Sequence, residues 1–336
     1  MNKQPVITVY RGGMVESEHF VHIAAVKLDE SNVASCGDAE RWIYARSSAK
    51  PLQAIPLVES GAMETFGLTD AELALVAASH NGEERHVTLA AGILAKLGLD
   101  ASALKCGAHD PYHKPTAEAM KAAGIKPTAL HNNCSGKHSG MLALAKAIGA
   151  PVEDYMSVRH PVQQRMLAAI SSMSGIPADR IRLGTDGCGV PVFGLPLASL
   201  ALAYARLGTP DDLEPVRANA CRRIVGAIRE NPECLAGDDR FDTQLIRATS
   251  GKLIGKLGAD GVFAVAMPGT GCGLAVKIGD GGVRALYPAV TEALLQLGWL
   301  SADEAGKLAD FHRPALLNWQ GTVVGEIVPD FTMVRS

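Results

Sequence analysis

Aromatic side chains are scarce in this chain, 5% of 336 residues, and so is net charge: 32 Lys and Arg stand against 35 Asp and Glu, a balance of −3. With no long basic block either, nucleic acid is excluded as the main partner. No long hydrophobic run occurs. The longest apolar tract, residues 190–205, is broken by Pro191, Gly194, Pro196 and Ser199, and it is shorter than the roughly 20 residues a bilayer span needs. Residues 1–5 lead straight into an alternating apolar stretch, without the basic lead, apolar core and small-residue cleavage site of a secretory signal. The cysteines, seven in number and scattered, do not form a disulfide framework and point to a reducing compartment. A cytoplasmic location is the expectation. What is abundant is apolar residue, 47%, and glycine, 35 copies, the mixture of a globular enzyme with a packed core and many tight turns.

Periodicity divides the chain in three. Residues 6–10, 20–28 and 42–45 carry short alternating or β-branched patterns and read as strands, the first two separated by the turn-prone Arg11-Gly12-Gly13. Pro51 then opens a helical face through Leu52, Ile55, Leu57 and Val58, which Pro56 should interrupt. Residues 69–249 are mainly helical. Thr69-Asp70-Ala71-Glu72 has capping-box spacing, and further helices are expected over 87–97, 116–123, 140–148, 161–174, 197–207 and 213–229. Strands return over 253–257, 262–267 and 274–278, the last followed by Gly279-Asp280-Gly281-Gly282, read as a hairpin turn. Helices over 288–297, with Pro288 at the first position, and over 302–311 precede a final strand at 323–328. The layout is α+β: one sheet built from N- and C-terminal strands (1–68 and 250–336), with the helical region 69–249 inserted, in a single catalytic unit.

Three motifs carry chemistry in chain order. Ser47-Ser48-Ala49-Lys50 sits at a helix start, where residues three apart share a face, so an amine at 50 can reach the hydroxyl at 47. An ordinary lysine is protonated at neutral pH and cannot act as a base; burial or a neighbouring cation frees the amine and activates the serine. Ser79-His80-Asn81 and Lys256-Leu257-Gly258 follow. S-x-x-K, S-x-N and K-x-G, in this order, parallel the motif set of serine β-lactamases and penicillin-binding proteins, a likeness of fold as well as of residues. The plain alternatives are a helix-capping Ser79 and an exposed edge-strand Lys256.

Two cysteines lie in glycine-rich loops, His131-Asn132-Asn133-Cys134-Ser135-Gly136-Lys137-His138 and Gly184-Thr185-Asp186-Gly187-Cys188-Gly189. Glycine permits close approach of backbone to a ligand. Two thiolates with a third donor would hold zinc; buried free thiols are the competing reading. Gly136-Lys137 is not a phosphate loop, since the upstream glycine and following hydroxyl residue are missing. His109-Asp110-Pro111-Tyr112-His113 is a polar loop whose histidines are expected to bond backbone carbonyls rather than a metal. Cys36, Cys221, Cys234 and Cys272 are expected to pack as small apolar side chains.

Taken together, Arg46-Ser47-Ser48-Ala49-Lys50-Pro51-Leu52-Gln53, Ser79-His80-Asn81-Gly82-Glu83, Cys106-Gly107-Ala108-His109, the Asn-Asn-Cys-Ser-Gly-Lys-His string at 132–138, residues 184–189 and residues 256–262 resemble the Rhizobium-type L-asparaginase family over essentially the whole chain. That resemblance implies hydrolysis of L-asparagine to L-aspartate and ammonia on a fold similar to serine β-lactamases. It implies Ser–Lys tandems on Ser47 with Lys50 and on Ser79 with Lys256. It also implies a zinc site on Cys134, Lys137 and Cys188, and a homodimer. Ser47 then attacks the side-chain amide while Lys50 takes its proton, and Ser79 with Lys256 relays a proton to the departing ammonia. Asp186 is the candidate for the substrate ammonium, Arg46 for its carboxylate, and His138 lines the pocket. Exchange of roles between Ser47 and Ser79 stays open. A glutaminase, a β-lactamase-like acyl hydrolase and a non-catalytic zinc-organised amino-acid sensor are the alternatives.

Overall fold

Val6, Ile7, Thr8 and Val9 begin the first strand, Val6–Arg11, where β-branched side chains favour extended backbone. Gly12 and Gly13 both take positive φ, 55° and 82°, the backbone of a two-residue turn whose twist matches that of the flanking strands. The turn returns the chain into a long strand, Met14–Lys27. The structure, a computed structural model, describes residues 6–335. Two compact units divide the chain: residues 1–48, 195–209 and 244–336 form one, residues 49–194 and 210–243 the other.

The first unit holds an antiparallel sheet in the order Ala315–Leu317, Val323–Asp330, Val6–Arg11, Met14–Lys27, Cys272–Ile278, Val262–Met267, Ile254–Gly258. Asn32–Cys36 also pairs with Met14–Lys27, and Val334–Arg335 pairs with Asn32–Cys36. The long strand explains the sheet's curl. Its first half, to Phe20 opposite Val6, pairs with the N-terminal strand, and its second half, from Val21 opposite Ile278, pairs with a C-terminal one. Strands Val262–Met267 and Cys272–Ile278 are buried almost throughout, so both of their faces are covered. Helices Leu197–Gly208 and Val283–Leu297 pack on this sheet. The first of them comes so close that a Cβ on Gly273 would lie 2.0 Å from the Ala201 carbonyl. The α+β architecture expected from the sequence is present, with strands from both termini in one sheet.

The second unit is helical apart from the Arg182–Thr185/Pro191–Pro196 hairpin. Thr69 caps Asp70–Val76 as the spacing predicts, its hydroxyl accepting from the Glu72 amide and Glu72 returning to the Thr69 amide. Ser135–Ala147 is buried on nearly all sides from Ser135 to Ala145 and packs on Asp70–Val76 and Glu84–Lys96. Gly136 and Gly140 make this possible: a Cβ on them would meet the Leu75 carbonyl at 2.2 Å and Val76 Cγ1 at 2.6 Å. Pro56 does interrupt its helix, which runs as Lys50–Gln53 and Ile55–Glu59.

Several expectations need correction. The Gly279–Gly282 segment is not a hairpin turn: Asp280 Oδ1 accepts from the Gly282 amide, and the helix Val283–Leu297 follows. Pro288 therefore lies inside that helix and not at its start. Burial of Ala285, Leu286, Ala289, Val290, Ala293 and Leu294 along one face outweighs the hydrogen bond the proline cannot donate. The expected helix over 302–311 is two short pieces, Ala302–Gly306 and Ala309–His312. Strands at Asn32–Cys36 and Pro191–Pro196 were not expected; prolines at the ends of the latter masked it. Among the described residues, no helix is long and apolar enough to cross a membrane.

Candidate active site

Lys50 opens the short helix after the Arg46–Ala49 turn, with Pro51 locking φ at the next position. Its side chain runs inward and is 1% exposed. The amine lies 2.6 Å from the Ala78 carbonyl, 3.0 Å from Ser79 Oγ, 3.1 Å from Cys134 Sγ and 3.4 Å from the Asn133 carbonyl. Of the oxygens around the amine, the Ser79 hydroxyl is the one that can also donate a proton. Ser79 is not a helix cap. The helix ends at Val76 with Ala77 as its C-cap, and Ser79 follows in irregular chain, buried, its amide bonded to the Leu235 carbonyl at 3.0 Å. The sequence paired Lys50 with its near neighbour Ser47; the structure places the Lys50 amine on Ser79.

Cys134 stands at the N-cap of Ser135–Ala147 and Lys137 in its first turn, three residues on and therefore adjacent. Cys188 arrives from the loop of the Arg182–Thr185/Pro191–Pro196 hairpin, which Asp186 closes by accepting from the Gly187 and Gly189 amides. Lys137 Nζ lies 3.1 Å from Cys188 Sγ. The hydrogen bond from the Cys188 thiol, together with the Lys50 and Lys137 charges, holds Cys134 well below the usual thiol range against the cost of its burial. The same bond, with burial, pushes Cys188 up. Burial disfavours the Lys137 cation, but Cys134, Cys188 and Asp186 outweigh it and its pKa is raised.

These three residues fit a metal. Two sulfurs and an amine already converge, and in a tetrahedral zinc site sulfur and nitrogen ligands sit about 3.6 Å apart. No cluster of three or more His, Cys, Asp or Glu occurs among the described residues, so any such site depends on the lysine.

His138 follows Lys137 and is fully buried. Its Nδ1 lies 2.7 Å from the Tyr155 hydroxyl, which also accepts from the Lys105 amide at 2.9 Å. Burial, aided by the Lys137 and Lys50 charges, keeps the imidazole neutral by lowering its pKa far below the usual range. Its Nε2 has no hydrogen-bond partner. A buried polar atom left so is costly unless a ligand or water meets it. Tyr155 gave no sequence signal, because it stands alone in a turn-rich stretch.

The first unit holds the remaining candidates. Arg46 takes φ 51°, a left-handed conformation rare for a side chain of its size, and its guanidinium pairs with the Asp260 carboxylate. Ser47 is half-buried in the turn Arg46–Ala49. Lys256 lies on the last strand of the sheet order but is 1% exposed, not the exposed lysine of the plain reading, and its amine lies 3.0 Å from the Leu257 carbonyl. Gly258 is needed where it stands, since a Cβ there would meet the Ala45 carbonyl at 2.7 Å beneath that turn. His109 bonds the Asp110 carbonyl and the Asn133 amide, as expected of a structural loop. Cys36, Cys221, Cys234 and Cys272 are buried.

The fold and this cluster describe an α+β protein with a buried amine seated on a serine and a cysteine. The chain belongs to the L-asparaginase II family, whose pattern matches residues 7–329. Two similar solved structures are Mglu in its native form in the presence of 4.3 M NaCl and a β-lactamase from Mycobacterium bovis. The first is 14% identical over 84% of this chain and 60% of its own, with a TM-score of 0.45. The second is 16% identical over 82% and 93%, with a TM-score of 0.45. This chain thus spans 60% of the Mglu chain. Among curated proteins, none matches.

Proposed function

We propose that this protein hydrolyses L-asparagine to L-aspartate and ammonia through a serine nucleophile activated by a lysine amine. The observation that carries the reading is the buried Lys50 amine 3.0 Å from Ser79 Oγ. Neutral Lys50 takes the hydroxyl proton as Ser79 attacks the side-chain amide carbon. The tetrahedral adduct collapses to a β-aspartyl ester, and the nitrogen leaves as ammonia after receiving a proton from Lys50. Water, deprotonated by the same amine, then cleaves the ester. The Ala78 and Asn133 carbonyls hold the amine in place through both steps. The family resemblance pairs Ser47 with Lys50 and Ser79 with Lys256; with Lys50 taken by Ser79 in this reading, Ser47 and Lys256 are left as the further candidates for the same reaction.

Asp186 is the counter-charge for the substrate ammonium. Arg46 is assigned to the α-carboxylate, which would replace Asp260 on its guanidinium. His138 turns its unpartnered Nε2 to the substrate. Cys134, Lys137 and Cys188 would hold a zinc ion, which would supply a fixed positive charge beside the pocket's polar groups. The test is a comparison of kcat/KM for ammonia release from L-asparagine and L-glutamine, with hydrolysis of a chromogenic cephalosporin alongside. Asparagine is expected to lead by at least about tenfold, one methylene's discrimination in a fitted pocket. A glutamine preference, or cephalosporin turnover without amide turnover, would reassign the substrate.

A further inference from the structure

Asn81 is 1% exposed, and both halves of its carboxamide are engaged. Nδ2 donates to Asp239 Oδ1 at 2.7 Å, and Oδ1 accepts from Arg240 Nη1 at 2.8 Å. Its amide donates to the Ala236 carbonyl at 2.8 Å, just as the Ser79 amide donates to Leu235. The segment 79–81 is therefore stitched to residues 235–240 at two backbone and two side-chain points. Glu83 and Arg85 extend the seam, since Arg85 bridges Glu83 and Asp238. The fit is tight. Gly237 has φ 139°, and a Cβ there would lie 2.4 Å from Asn81 Nδ2 and 2.6 Å from Glu83 Oε1.

This seam is where Ser79 gets its position. Lys50 is fixed by two carbonyls and a sulfur, so the 3.0 Å separation from Ser79 Oγ depends on how firmly the 79–81 segment is held. Ser79 itself offers only its amide to the 235–240 loop. We propose that Asn81 is a positioning residue for the reaction: by clamping Asp239 and Arg240 it holds Ser79 at attacking distance from the substrate and within reach of Lys50. The inference rests on the reading of Ser79 and Lys50 as the acting pair.

The experiment measures kcat and KM for ammonia release from L-asparagine in Asn81→Ala, Arg240→Met, their double variant, Asn81→Asp and the swap Asn81→Asp with Asp239→Asn, with Ser79→Ala as reference. Asn81→Ala is expected to lower kcat about 10²-fold, as a misplacement of about 1 Å does, with KM little changed. The double variant should be no worse than Asn81→Ala alone, because both substitutions cut the same clamp. Asn81→Asp should also lose kcat by opposing Asp239. The swap returns a donor opposite the new carboxylate and should recover about tenfold or more of it. Loss of stability without this split and rescue would mark Asn81 as structural only. A kcat for Asn81→Ala near wild type, or a swap that recovers nothing, overturns the proposal, and if Asn81→Ala does not fold the swap and Arg240→Met decide. Normal turnover by Ser79→Ala would instead sink the underlying mechanism.

Discussion

A lysine 1% exposed must be paired as a cation or held as a neutral amine, because an isolated buried charge costs several kcal/mol. Lys50 has both options at one place. Cys134, held well below the usual thiol range, would pair with its cation, and Ser79 is the hydroxyl that would share a proton with its neutral form. Lys50→Met keeps the volume and removes the base, so turnover on asparagine should fall by at least about 10³-fold with the circular dichroism unchanged. Lys50, Ser79 and Cys134 stood out in the sequence as candidates, since hydroxyl, amine and thiol side chains in polar or glycine-rich segments mark chemistry. Their partnership was not. Spacing rules describe neighbours three or four positions apart, whereas Lys50 meets Ser79 across 29 positions and Cys134 across 84. Tyr155 and the Asn81–Arg240 clamp escaped for the same reason.

Elements were legible where local chemistry sets them. The Thr69–Glu72 capping box and the Gly12-Gly13 turn follow from side chains and φ preferences within four residues. Pro288 and Pro191 misled because burial of a whole helix face or strand outweighs one missing donor. The glycine at 136 was read as ligand loop, yet with Gly140 it serves helix packing. In Gly136→Ala the new methyl would strike the Leu75 carbonyl, costing about 3 kcal/mol and lowering Tm by roughly 6 °C or more in a thermal melt.

Helix Glu84–Lys96 brings a second test. His86 accepts from the Glu83 amide and bonds the Glu233 carbonyl, and burial lowers its pKa to about 4. Folded protein thus holds this ring neutral while the unfolded chain protonates it near the ordinary value of about 6.5. Stability from this site is complete above that value and is lost as pH falls towards 4, by up to about 3 kcal/mol. His86→Asn, which keeps one acceptor and one donor, should flatten that part of the stability–pH curve in urea titrations between pH 4 and pH 6.5.

At the scale of the whole molecule, the helical unit carries Lys50, Ser79, Cys134, Lys137, His138, Asp186 and Cys188, and the sheet unit carries Arg46, Ser47 and Lys256. Zinc is the natural probe of the helical unit. One equivalent per chain is expected by mass spectrometry, lost in Cys188→Ala and in Lys137→Met. Its affinity should weaken as pH falls, since amine and thiol must both give up protons to bind. Binding should also raise Tm, as any ligand of the native state does. A homodimer is the expected assembly, to be read from light scattering. The family was legible in the sequence because its loops keep their polar residues in order, while the curl of the sheet was not, since it depends on one 14-residue strand serving two ladders.

The most direct test of a hydroxyl activated by the Lys50 amine is ammonia release from L-asparagine by Ser79→Ala at saturating substrate. A fall of at least about 10³-fold with substrate binding retained is the predicted result. Turnover within a few-fold of the parent enzyme would contradict it and leave the nucleophile to be sought at Ser47.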